Sequence, residues 1–136
     1  MSVVTVLAVD DQAVFRHTAR ELIAATDGFQ QIAEAHSGEQ ALALAAELHP
    51  DLVLVDVRMP GMDGIETARR LIDQNSGAII VLVSLEALVD LPAAAADTGA
   101  VAHVRKQDLS PRTLHTLWRA YGHRHPAEHH RAGPGM

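Results

Sequence analysis

Cysteine is absent from the 136 residues. That excludes a disulfide framework, a thiol nucleophile and thiolate metal sites. Aromatic residues are scarce: Phe15, Phe29, Trp118 and Tyr121 are the whole set. Positive charge is short as well, with 11 Lys and Arg against 17 Asp and Glu, a net charge of −6. A general nucleic-acid binder or anionic-membrane binder is therefore not expected. No apolar run approaches the ~20 residues a membrane span needs. The first residues, Met1 to Val6, lack the basic region of a signal peptide, so the cytoplasm is the expected compartment. What remains is an ordinary globular composition, 48% hydrophobic and 21% charged, at the length of one domain.

Short β-branched runs alternate with helix-period segments. Strands are expected at 3–9, 29–35, 51–56, 78–83 and 101–104. Helical faces are expected from Phe15, Ala19, Leu22 and Ile23; from Ala41, Leu44, Ala45 and Leu48; and from Ile65, Ala68, Leu71 and Ile72. Leu114, Leu117, Trp118 and Tyr121 form the last stripe. Ser37 with Gln40 reads as a capping box, Asp63 with Glu66 as a second helix start, and Ser110-Pro111 as a third. His49-Pro50 stops the second helix. This pattern predicts an α/β fold: a doubly wound, flavodoxin-like parallel sheet of five strands with helices on both faces. Residues 1–122 make the domain. Residues 123–136, with His123, His125, His129 and His130, read as a flexible tail whose histidines are incidental rather than a transition-metal site.

In open parallel sheets, sites lie at the carboxyl ends of strands. Asp10 and Asp11 follow strand 1, Asp56 ends strand 3, Ser84 follows strand 4 and Lys106 follows strand 5. Singly, these are a helix cap, a turn residue and a solvated cation. Together they bring three carboxylates, a hydroxyl and an ammonium to one edge. Clustered carboxylates are costly unless protonation or a cation relieves them, and a hard oxygen site of this kind suits Mg²⁺. Lys106 is the only lysine; the other ten basic residues are arginine. Only here does the chain use a compact point charge.

These residues, with Val55-Asp56-Val57-Arg58-Met59-Pro60-Gly61-Met62-Asp63-Gly64, Val83-Ser84 and Arg105-Lys106, resemble the CheY-like receiver domain of two-component response regulators. The resemblance runs from about Ser2 to Gly122. It implies that Asp56 is the phosphoacceptor, served by a histidine kinase or phosphotransfer protein. It also implies a Mg²⁺ site at Asp11, Asp56 and the backbone carbonyl of Arg58, with Asp10 acting largely through a bound water. Lys106 and Ser84 would contact the phosphoryl group, while Arg58 and Glu86 would border the open face of the site. The chain departs from the family pattern in several places, among them Ala102 where Gly is frequent. His103 stands where an aromatic switch residue is usual, Gln107 replaces the proline after the lysine, and Pro92 falls where a fourth helix is expected, placing its start near Asp90.

The expected function is a stand-alone response regulator, not an enzyme beyond its own phosphorylation and dephosphorylation. Its output is expected through a downstream protein or a homodimer, on the face of the fourth helix, strand 5 and the last helix. Leu85, Leu88, Val89 and Leu91 supply an apolar patch there. Nucleic acid and membrane are not expected partners. The competing reading is a degenerate receiver that binds protein without phosphorylation. A phosphatase with an aspartyl nucleophile would carry another Asp two residues on, where Arg58 stands.

Overall fold

The computed structural model describes residues 3–74, 77–86, 95 and 97–122. Five strands form one sheet: β1 (Val4–Val9), β2 (Phe29–Ala35), β3 (Leu52–Asp56), β4 (Ile79–Ser84) and β5 (Ala102–Arg105). Every pairing is parallel and the order is β2-β1-β3-β4-β5. The chain reverses direction across the sheet between β1 and β3, which makes their carboxyl ends the crevice where such folds bind ligands. The doubly wound, CheY-like flavodoxin fold expected from the sequence is the fold observed.

Four α-helices lie among the described residues: α1 (Ala13–Ala24), α2 (Gly38–Leu48), α3 (Gly64–Asp73) and α4 (Pro111–Tyr121). Strand residues alternate between two cores because successive side chains point to opposite faces. Leu7, Val9, Val53, Val55, Ile80 and Leu82 pack with Ala41 and Ala45 of α2 and with Ile65, Ala68 and Leu71 of α3. Val6, Ala8, Leu52, Leu54, Val81 and Val83 pack with Ala19 and Ile23 of α1 and with Leu114 and Leu117 of α4. Both sheet faces are covered, which is why the central strands have no polar alternation.

The helix starts follow their capping chemistry. Ser37, Asp63 and Ser110 each accept the backbone N–H three residues on. Gln40 reaches back as a capping box requires, but its carbonyl oxygen takes the N–H of His36 rather than that of Ser37. His49 ends α2 with φ 51°, and Pro50 after it blocks further helix. Leu48 and Ile72, expected on buried stripes, are 40% and 37% exposed, each in the last turn of its helix. The expected bounds of β4 and β5 move one residue towards the C-terminus, so Ser84 and Arg105 are strand residues. Asp90, Pro92, the fourth helix, Leu88, Val89, Leu91 and the 123–136 tail lie outside the described residues.

Candidate functional site

Asp10 leaves β1 at the switch in strand order and is fully buried. Its Oδ1 accepts the N–H of Gln12 at 2.8 Å, its carbonyl accepts Arg16 Nη1 at 2.8 Å, and its own N–H donates to Ala35 O. Arg16 is held in turn by Glu34 of β2, which also takes a two-point contact from Arg20. Neither Asp10 nor Asp11 is the N-cap of α1; Gln12 occupies that position. Asp10 is thus fixed on three sides, and Oδ2 is its one oxygen left without a hydrogen bond.

Asp56 ends β3 and is 5% exposed. One ligand oxygen each from Asp10, Asp11 and Asp56 lie within 4.8 Å of one another. Burial is the main reason the Asp56 carboxyl is pushed up to about 6, and the neighbouring Asp10 charge adds to it. The Lys106 charge and the Arg58 backbone N–H oppose that shift without cancelling it. Lys106 Nζ lies 2.8 Å from Asp10 Oδ2 and 3.7 Å from Asp56 Oδ1. Asp10 Oδ2 has no hydrogen-bond partner despite its burial, so the contact with Lys106 is an ion pair without hydrogen-bond alignment. Three crowded carboxylates, one of them with an orphaned buried oxygen, fit a divalent cation of the hard, oxygen-seeking kind.

The glycine that opens α3 explains how this floor is built. Gly64 N–H donates to Val57 O at 2.9 Å, and a Cβ on Gly64 would collide with the carbonyl oxygen of Asp56. Only glycine lets the helix start that close to the Asp56 backbone carbonyl. Arg58, two residues after Asp56, makes a two-point contact with Glu86: Nε to Oε1 at 2.7 Å and Nη2 to Oε2 at 3.2 Å. The pair stands at a cleft of about 260 Å³ lined by Gln12, Asp56, Arg58, Leu85, Glu86 and Lys106.

Ser84 is buried at the end of β4. Its hydroxyl donates to Glu86 O at 2.8 Å, accepts Glu86 N–H at 3.2 Å, and lies 2.9 Å from Nε2 of His103. His103 pairs in register with Leu82, so period-two alternation puts it on the same sheet face as Ser84. Burial lowers the His103 pKa from its ordinary value. Gln107 follows Lys106 in a short 3₁₀ turn, and its side-chain carbonyl accepts from the Arg105 guanidinium. No cis peptide occurs among the described residues.

The structure therefore gathers Asp10, Asp11, Asp56 and Lys106 into one cluster, with Arg58 and Glu86 across its mouth and Ser84 with His103 beside it. Sequence reasoning missed two supports. Phe15, placed on the apolar face of α1, lies with its ring centroid 4.4 Å from Lys106 Nζ, a cation–π seat for the lone lysine. Arg16, which ties α1 to the Asp10 carbonyl and to Glu34, carried no signal beyond its place one turn after the aspartates.

Strand order, buried acidic cluster and adjacent ammonium together define the CheY-like class of flavodoxin-fold proteins. The response regulator receiver domain pattern matches residues 6–118, and the chain belongs to that family. It is 36% identical over 103 residues to the response regulator GacA of Pseudomonas viridiflava, covering 76% of this chain and 48% of that protein. It is 34% identical over 110 residues to the nitrate/nitrite response regulator protein NarL of Escherichia coli K12, covering 81% and 50%. The chain thus spans about half the length of these relatives. Among solved structures, a two-component response regulator of the LuxR family from Aurantimonas sp. SI85-9A1 superposes with a TM-score of 0.79 at 27% identity, covering 95% of this chain and 94% of that one. Receiver domains of this family work with histidine kinases or phosphotransfer proteins and with downstream targets. Among the described residues, no helix is long and apolar enough to cross a membrane.

Proposed function

We propose that this receiver takes a phosphoryl group onto Asp56 from a phosphohistidine of a histidine kinase or phosphotransfer protein, or from a small acyl phosphate. The observation that carries the reading is the placement of Asp56: a buried carboxylate on a cleft wall, 3.7 Å from the ammonium of the only lysine and crowded by two more aspartates. An Asp56 carboxylate oxygen attacks phosphorus as the bond to the donor nitrogen or oxygen breaks. The electron pair of that bond leaves with the donor. Catalysis of such a transfer is mostly positioning and charge neutralisation, which Lys106 supplies at the phosphoryl oxygens.

Asp10, Asp11, Asp56 and the Arg58 carbonyl would hold Mg²⁺. Bound there, Mg²⁺ would neutralise the clustered carboxylates and the incoming phosphoryl oxygens. Ser84 would donate its hydroxyl to the attached phosphoryl group. The chain would then be no enzyme beyond its own phosphorylation and dephosphorylation.

Signalling from this unit is proposed to run through protein contacts, in the cytoplasm, with no nucleic-acid or membrane partner for the net-negative chain. The target would be another protein or a second copy, on the face near β5 and α4. Leu85, 70% exposed, is the described part of the apolar patch expected there. The test is intact mass after incubation with acetyl phosphate and Mg²⁺, for this chain and for Asp56→Asn. Gain of one phosphoryl group by the first and none by the second, abolished by chelator, supports the reading. No gain from any donor favours the phosphorylation-independent binding module.

A further inference from the structure

The hydrogen accounting at Ser84 gives His103 a role in the phosphoryl chemistry itself. A serine hydroxyl has one proton to donate and two lone pairs to accept with. The Glu86 carbonyl, 2.8 Å away, can only accept, so it takes the proton; the Glu86 N–H, 3.2 Å away, can only donate, so it takes one lone pair. The contact with His103 Nε2 at 2.9 Å is then a hydrogen bond only if Nε2 carries a hydrogen and donates to the remaining lone pair.

We infer that His103 is a positioning residue for Ser84: as an Nε2–H donor it anchors the serine oxygen and leaves the hydroxyl proton free to turn onto a phosphoryl oxygen. The inference rests on the proposed phosphorylation of Asp56. When a phosphoryl oxygen becomes the acceptor, the hydroxyl rotates about Cβ–Oγ and leaves the Glu86 carbonyl. After that rotation the oxygen still has two lone pairs, so Nε2–H can keep a partner while the phosphoryl oxygen takes the proton. The opposite tautomer would present a bare nitrogen lone pair at Nε2, which would compete with the phosphoryl oxygen for the same proton. Donation into Oγ also polarises the O–H bond and strengthens it as a donor. An aromatic hydrocarbon ring in this place fills space but supplies no such bond.

The test compares His103→Phe, which keeps a ring and removes the donor, with His103→Gln, whose amide can donate from a similar reach. Ser84→Ala and Ser84→Ala/His103→Phe complete a cycle. Phosphoryl uptake from acetyl phosphate with Mg²⁺ is followed by mass, and thermal melting checks that each variant is folded. ¹⁵N NMR of the unmodified chain reads the His103 tautomer directly. The expected result is an Nε2–H ring, uptake slowed about fivefold by His103→Phe, the scale of one neutral hydrogen bond, and uptake within about twofold of the parent in His103→Gln. In the Ser84→Ala background, His103→Phe should add nothing. An Nδ1–H ring overturns the inference even if no variant folds. So does an unchanged rate in His103→Phe, equal slowing by Phe and Gln, or full slowing without the serine. If the parent chain takes up no phosphoryl group at all, the proposed function fails first and the inference falls with it. Uptake by the parent with an indifferent His103 leaves the function standing and removes only the inference.

Discussion

Lys106 Nζ lies closer to Asp10 than to Asp56, 2.8 Å against 3.7 Å. The ammonium is parked on the carboxylate that has an otherwise unpartnered oxygen and is seated over the Phe15 ring. Its charge still reaches Asp56, whose carboxyl it pulls down against burial and the Asp10 charge.

Removing that charge should therefore push Asp56 further up. In Lys106→Met, the carboxyl titration of Asp56 followed by ¹³C NMR without metal should lie above the value of about 6 found with the lysine in place. Phosphoryl uptake should fall on the order of 10²-fold, the usual cost of losing one preorganised charge or donor at a transition state. An Asp56 titration at or below its parent value would show that the ammonium does not act on it.

The pH dependence of stability has a defined sign. Asp56 is raised from 3.8 to about 6 in the folded chain, so folding favours its protonated form. Below about pH 4 the group is protonated in both states and costs nothing. As pH rises from there to about 6, the unfolded chain ionises first and stability falls; above that window the full cost remains. Asp56→Asn should thus stabilise the metal-free chain at pH 7 by on the order of 3 kcal/mol, with the gain fading towards pH 4. Urea midpoints across pH 4–7 check this, and saturating Mg²⁺ should shrink the gain. A gain that is as large at pH 4 as at pH 7 would contradict it.

The Arg58–Glu86 contact is two-pointed but exposed, so its worth lies in where it stands rather than in stability. With both replaced by Ala, melting should be little changed while the phosphoryl group is lost a few-fold faster, as water gains the cleft. Each single replacement should match the double, because either one breaks the pair. An unchanged phosphoryl half-life in all three would remove the gate.

Two glycines of the loop after Asp56 should fail for different reasons. Gly64→Ala sets a methyl against the Asp56 carbonyl and should cost about 1–3 kcal/mol, disturbing the acidic cluster with it. Gly61 has φ +73° and open space around its missing side chain, so Gly61→Ala should cost about 1 kcal/mol from backbone conformation alone. Urea midpoints give both costs, and metal affinity should fall only in Gly64→Ala.

Much of this site was legible because its chemistry sits at strand ends. Once residues 3–9, 51–56 and 78–83 read as buried strands, the doubly wound topology carries Asp10, Asp56 and Ser84 to one edge without any knowledge of contacts. The caps at Ser37, Asp63 and Ser110 were legible because each depends on atoms three residues apart. What escaped depends on register and side-chain reach across the sheet. The seat of Lys106 over Phe15 joins residues 91 positions apart in the chain. The His103–Ser84 bond requires knowing that Leu82 stands opposite His103, which a strand's own pattern does not state. Gln40 found the N–H of His36 because capping geometry tolerates a one-residue shift that sequence spacing does not resolve.

The central claim is that Asp56 carries the phosphoryl group, and borohydride reduction followed by peptide mapping tests it most directly. An acyl phosphate on an aspartate is reduced to homoserine, whereas a free carboxylate is untouched. After incubation with acetyl phosphate and Mg²⁺, the account predicts homoserine at position 56 and at no other aspartate, with none formed when the metal is chelated. Homoserine at Asp10 or Asp11 instead, or at no position in a chain shown to be folded, would contradict it.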